Sequence, residues 1–139
     1  MSTESRTGLI VATAILLAAC QSTPEPQVAS LSGVELYQKL CSSCHGLDAR
    51  GQGPVASLIK TGVPDLTLIA HRDGGEFPAE DVRRTIDGRW DHRAHGARDM
   101  PVWGWQLYDS STGDGSAQRA NVDSMIDRLV EYLRSVQQP

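Results

Sequence analysis

Two cysteines and a histidine stand at a spacing that can attach a cofactor. Residues 41–45 read Cys41-Ser42-Ser43-Cys44-His45, a Cys-x-x-Cys-His motif, which is the attachment pattern of c-type haem. Two thiols at this spacing on a helical turn share one face, so each can add to a different vinyl group of one porphyrin. The histidine that follows can supply an axial nitrogen to the iron. The motif therefore predicts haem c, one per chain and covalently attached.

Two other kinds of site use the same pair of cysteines. In thioredoxin-like enzymes the pair follows a buried strand, but no Val/Ile-rich strand pattern precedes Cys41 in this sequence. A zinc site needs further ligands at a suitable spacing, and the chain has no second cysteine pair. A thiol-disulfide oxidoreductase is kept as a weak alternative.

The elements that must position the motif have helical signals. Ser32 and Glu35 form a capping box, and an apolar stripe of Leu36, Tyr37 and Leu40 then leads into the cysteines. Asp65 predicts the start of a helix over Leu66 to Arg72, and Gly74-Gly75 predicts its end. Pro78 predicts the start of a second helix, which runs through Val82 and Ile86 and ends at Gly88. Asn121 predicts the cap of a last helix that runs to about Gln137. The polar stretch from Gln106 to Ala120 predicts a surface loop.

From residue 32 to residue 138 the sequence resembles the class I c-type cytochromes, through the Cys-x-x-Cys-His motif, a Gly-Pro loop and a Met-Pro segment. The resemblance implies an all-α cytochrome c fold, with three to five short helices around one haem. The loop Gly51-Gln52-Gly53-Pro54 resembles one that wraps the histidine side of the haem, where a proline carbonyl accepts the ring N–H. The resemblance therefore implies that Pro54 orients His45. The alternative is that the Gly-Pro segment is a turn with no further role.

The same resemblance places a methionine opposite the histidine. Met100 precedes Pro101, which disfavours helix at this position, and an aromatic residue and a glycine follow, as in the distal-ligand loop of the family. We therefore predict Met100 as the second axial ligand. The competitors are Met125 in the stripe of the last helix, His92 and His95 in a charged loop, and His71 near the end of a short helix.

Burial of a haem explains how a chain with only 5% aromatic residues can build a core. The side chains predicted to pack around it are Leu36, Leu66, Ile69, Ile86, Trp103 and Leu129. Those predicted to bind the propionates are Arg72, Arg93 and Arg98, with Trp90 or Trp105.

The N-terminal segment predicts export and a lipid anchor. Gly8 to Ala19 is an apolar run shorter than the roughly 20 residues that span a bilayer, so residues 1–19 read as a signal peptide. Leu17-Ala18-Ala19-Cys20 resembles a bacterial lipobox, in which Cys20 is lipidated. Residues 20–31 would then be a tether and residues 32–139 the cytochrome c domain, on the periplasmic side of a membrane. A plain signal peptide or a short uncleaved anchor is the alternative.

These features together predict a one-electron carrier with His/Met ligation, and not an enzyme, because no nucleophile and base pair presents itself. The net charge of −4 argues against nucleic-acid binding and favours redox partners with basic docking surfaces. A c-haem sensor that binds NO or CO at the distal face is the alternative from another class.

Overall fold

The computed structural model describes residues 28–89, 99–108 and 115–139. Within these ranges the chain is helical and contains no strand, which confirms the predicted all-α class. Three helices are longer than one turn: α1 (Gly33–Leu40), α4 (Ala79–Asp87) and α6 (Gly115–Ser135). Three are a single turn: α2 (Ser42–His45), α3 (Ile69–Arg72) and α5 (Trp103–Gln106). Short 3₁₀ turns lie at Val28–Ser30, Ala56–Leu58 and Leu66–Leu68.

Helices α1 and α6 cross and form the centre of the core. Leu36 and Tyr37 of α1 are buried against the apolar face of α6, which consists of Val122, Met125, Ile126, Leu129, Val130 and Leu133. At the crossing, a Cβ on Gly33 would overlap the carbonyl oxygen of Arg128 and lie 3.1 Å from Cβ of Tyr132. Only glycine permits the two helices to approach this closely.

The predicted capping residues are confirmed for α1 and α4, and Asp65 caps the 3₁₀ turn Leu66–Leu68 that leads into α3 rather than α3 itself. Ser32 and Glu35 make both bonds of the capping box, and the carboxylate of Asp65 accepts from the N–H of Thr67 at 2.8 Å. The α4 helix follows Pro78 and ends at Gly88, whose φ of 66° is left-handed. These ends are set by residues close in sequence, so the sequence was sufficient to find them.

Two predicted boundaries are wrong. The last helix already includes Gly115 and does not begin at Asn121, because the mostly exposed residues Gly115 to Ala120 extend it by helix propensity without an apolar stripe. The end of the expected tether belongs to the folded domain. Leu31 is buried, and the guanidinium of Arg128 donates to the carbonyl oxygens of Leu31 and of Ala29, the latter at 2.8 Å.

Residues 1–27, 90–98 and 109–114 lie outside the described residues. They include the predicted signal peptide, Cys20, His92 and His95, and the propionate candidates Trp90, Arg93 and Arg98. Of the helices in the described ranges, none has the length and apolar character needed to cross a membrane.

Candidate functional site

The Cys-x-x-Cys-His motif forms a tight turn at the end of α1. The N–H of Cys41 still bonds to the carbonyl of Tyr37, and the N–H of His45 bonds to the carbonyl of Cys41, both at 2.9 Å. The phenol of Tyr37 donates to the carbonyl of Gly46 at 2.7 Å from a buried position, which holds the far end of the turn against α1. Cys41, Cys44 and His45 consequently line one cavity.

The glycine-rich loop after the motif folds back over the end of α2. The N–H groups of Gly51, Gly53 and Val55 donate to the carbonyls of His45, Cys44 and Ser43 at 2.8 to 3.0 Å. A Cβ on Gly53 would overlap the carbonyl oxygen of Ser43 and lie 2.6 Å from the carbonyl carbon of Cys44. The Cys41–His45 turn is therefore held in place by backbone hydrogen bonds from the glycine-rich loop.

A proline carbonyl faces the ring of His45, but it is that of Pro64. The Nδ1 atom of His45 lies 3.4 Å from the carbonyl oxygen of Pro64. Because a carbonyl can only accept, Nδ1 is the donor in this contact, and Nε2 keeps the lone pair that a metal needs. Burial lowers the pKa of His45, while the bond to Pro64 opposes that change, so the neutral form is favoured.

The prediction that Pro54 orients His45 is wrong. Gly53 and Val55, on either side of Pro54, bond to the backbone of α2, and Pro54 does not line the cavity. The chain then turns so that residues 63–64 pass beside Gly51. A Cβ at Gly51, where φ is 78°, would overlap the carbonyl oxygen of Val63 and lie 3.0 Å from that of Pro64.

The cavity has the size and the lining of a cofactor site. Its volume is about 630 Å³, within the range of roughly 300–1,000 Å³ that such sites have. Besides the motif residues it is lined by apolar side chains, among them Leu40, Ile59, Val63, Leu66, Ile69, Val82, Ile86, Trp103, Leu129 and Leu133. Two thiols, one imidazole nitrogen and a mostly apolar wall form a donor set that fits a covalently attached haem.

Met100 reaches the same cavity from a distant part of the sequence. It lies in a bend before Pro101, is half-buried, and lines the cavity together with Pro101 and Trp103. Met125 is 3% exposed within the α6 core and does not line the cavity, as expected of a core residue. His71 is exposed at the end of α3 and also lies away from it.

Of the side chains predicted to pack around the haem, Leu66, Ile69, Ile86, Trp103 and Leu129 line the cavity. Leu36 does not, because it is fully buried on the face of α1 that meets α6. Leu40, one turn later at the helix end, takes the cavity position instead.

None of the described residues that line the cavity is an arginine or a lysine. Arg72 is exposed and Trp105 is 64% exposed, and neither contributes to the lining. Asp81 and Asp99 are among the residues that line the cavity, and the carboxylate of Asp99 accepts a hydrogen bond from Thr61 Oγ1 at 2.7 Å. The sequence had given no signal for these two carboxylates.

Comparison with known proteins agrees with this geometry. The profile of the family described as cytochrome c matches residues 30–137. The chain belongs to the cytochrome c family. Members of this family are haem c electron-transfer proteins, so this chain is one as well. The matched residues include both the Cys41–His45 turn and the Met100 bend.

A curated relative is the Cbb3-type cytochrome c oxidase subunit CcoP of Rhodobacter capsulatus, 28% identical over 113 residues. The match covers 81% of this chain but only 31% of the relative, so this cytochrome spans about a third of that protein's length. No solved structure gives a significant match.

The contact of Gly51 with residues 63–64 can be tested against a second glycine. Both Gly51 and Gly62 have φ near +77°, but a Cβ on Gly62 would meet nothing within 4 Å. Gly62→Ala should cost about 1–2 kcal/mol through left-handed strain alone. Gly51→Ala should cost about 1–3 kcal/mol more, because it also forces the Val63–Pro64 backbone away. Chemical denaturation of the holoprotein measures both, and equal losses would contradict the packing described above.

Proposed function

We propose that this cytochrome is a membrane-anchored, monohaem carrier that transfers single electrons between redox partners. In this proposal Cys41 and Cys44 hold the haem through thioether bonds, and His45 and Met100 are its axial ligands. The observation that carries the proposal is that the Cys-x-x-Cys-His turn and Met100, far apart in sequence, line one apolar cavity.

Each of these residues has a distinct task. The two cysteine sulfurs fix the position of the porphyrin, and His45 keeps its Nε2 lone pair available because Nδ1 donates to Pro64. Met100 would be the second ligand of the haem iron, and the apolar side chains would exclude water, which raises the reduction potential. The bound haem supplies one iron that takes up and releases a single electron.

Filling both axial positions favours electron transfer over the two other functions considered. A sensor of NO or CO needs an open or easily opened distal face, whereas Met100 lines that cavity. A thiol-disulfide oxidoreductase needs a thiol of low pKa, and burial, reinforced by the neighbouring Cys44, raises the pKa of Cys41 to about 12.

The partners are inferred from charge and from the relative. The name of CcoP describes a subunit of a cytochrome c oxidase, and we infer that this cytochrome exchanges electrons with a membrane-bound redox complex facing the periplasm. With a net charge of −4, it would dock on basic surfaces in complexes that salt weakens.

Lipidation of Cys20 would keep the carrier at the membrane. Residues 21–27 would then be the tether, since Leu31 is buried and the backbone at Ala29 and Leu31 is bound by Arg128. Fully extended, a tether of this length reaches about 25 Å, so the domain would stay close to the bilayer surface.

The ligand assignment is tested by a matched pair of variants, Met100→Leu and Met125→Leu. Leucine has nearly the volume of methionine, so both variants should remain folded and should lose less than about 1.5 kcal/mol of stability. Met100→Leu should lose the weak near-infrared band of Met-to-iron charge transfer in the oxidised protein, bind CO when reduced, and have a lower potential. Met125→Leu should keep the band. The reverse pattern would make Met125 the ligand, and a band retained in both variants would exclude Met100.

The anchor is tested by Cys20→Ser. The parent should fractionate with membranes, and the variant should be released into the soluble fraction, because the acyl chains that bind the bilayer are absent. Haem content should be the same in both, since Cys20 is distinct from the attachment pair. Unchanged membrane association of the variant would contradict a lipid on Cys20.

A further inference from the structure

A buried ion pair lies where α4 ends. Asp87 and Arg89 are joined by Nε to Oδ1 at 2.5 Å and Nη2 to Oδ2 at 3.0 Å, and their side chains are only 2% and 14% exposed. The left-handed Gly88 between them reverses the chain, so that the guanidinium folds back on the carboxylate. The hydrogen bond to Asp87 raises the pKa of Arg89, so the guanidinium stays charged.

The pair is fixed to a second helix. Arg89 Nη2 also donates to Oδ1 of Asp123 on α6 at 3.2 Å. Asp123 in turn pairs with Arg83 of α4 at 3.3 Å, and Arg83 with Asp127 at 2.8 Å. These links between α4 and α6 give Asp87 and Arg89 a position that neither helix alone would define.

Helix α5 rests directly on this ion pair through Gly104. Gly104 is buried, and a Cβ there would overlap Asp87 Oδ1 and lie 2.5 Å from Arg89 Nε and 2.7 Å from Arg89 Cγ. The absence of a side chain at residue 104 therefore sets the distance between α5 and the end of α4.

Met100 lies just before this contact. Pro101 fixes its own φ and restricts Met100, and Trp103, which lines the cavity, immediately precedes Gly104. A shift of α5 away from the ion pair would therefore move Met100. On the other side of Met100, Asp99 accepts an exposed hydrogen bond from the hydroxyl of Thr61.

We propose that Asp87, Arg89 and Gly104 form a seat for α5 whose role is to keep Met100 at the iron. They are positioning residues: none of the three lines the cavity, and they act through the short segment from Met100 to Gly104. This inference rests on the proposed function, because it takes Met100 as the ligand.

The seat changes the equilibrium between a state with Met100 bound and an open state. A competing ligand binds the open state, so its apparent affinity rises in proportion to the population of that state. Weakening the seat should then favour a competitor without changing haem attachment or the His45 side.

The experiment is an imidazole titration of the oxidised holoprotein, followed by loss of the Met-to-iron charge-transfer band. Gly104→Ala and Asp87→Asn should raise the affinity for imidazole by about tenfold or more. The controls are Gln106→Ala, exposed on the same helix, and Glu80→Gln, which breaks the exposed pair with Arg84. Both should stay within about twofold of the parent, since exposed pairs contribute little.

A purely structural role is separated by denaturation. If the ion pair only stabilised the fold, loss of the band and loss of helical circular dichroism would move together in the variants. The seat predicts that the band disappears at a clearly lower denaturant concentration than the helices. Arg89→Lys keeps the charge but loses the fork to Asp87, and it decides the question in the same two assays if Gly104→Ala fails to fold.

A third readout does not depend on the iron ligand. Amide hydrogen exchange over residues 99–108 should be faster in Gly104→Ala and Asp87→Asn than in the two controls. Imidazole affinity and exchange equal to the parent would overturn the seat. A parent that lacks the band and is unchanged by Met100→Leu would instead overturn the ligand assignment, and the exchange rates would still decide whether α5 is held here.

Discussion

Helix α1 crosses α6 so closely at Gly33 that no side chain fits between them, and the position of the motif follows from that contact. Leu36 and Tyr37 are buried against α6, and this packing fixes the position of the C-terminal end of α1. Cys41 follows directly, and the Tyr37 phenol holds Gly46 at the far side of the turn. The two thiols and the imidazole are thus positioned by the packing of α1 against α6.

The two sides of the cavity are held by different interactions. On the histidine side, backbone hydrogen bonds from Gly51, Gly53 and Val55 satisfy the end of α2, and such bonds break only with the local fold. On the methionine side, the described contacts include an exposed hydrogen bond and the packing of Gly104 on an ion pair. If Met100 is the second ligand, as proposed, its position depends on how α5 packs against the end of α4.

How far the sequence predicted this structure depends on the range of each interaction. Ser32, Asp65 and Gly88 act on neighbours within a few residues, and the helix ends they predict were found. The attachment motif is likewise local, and the Met-Pro segment was found by resemblance. Pro64 could not be chosen over Pro54, because its place beside His45 arises from the packing of residues 63–64 against Gly51. Leu36 and Leu40 both belong to the stripe of α1, and only the tertiary packing decides which of them meets α6.

The most direct measurement of the central claim is the mass of the mature protein after denaturation and treatment with a thiol-alkylating reagent. The protein should be made in a host that can attach haem c. The account predicts the mass of the chain plus one haem, with no alkylation at Cys41 or Cys44. A chain without added haem and with both of these thiols alkylated would contradict it.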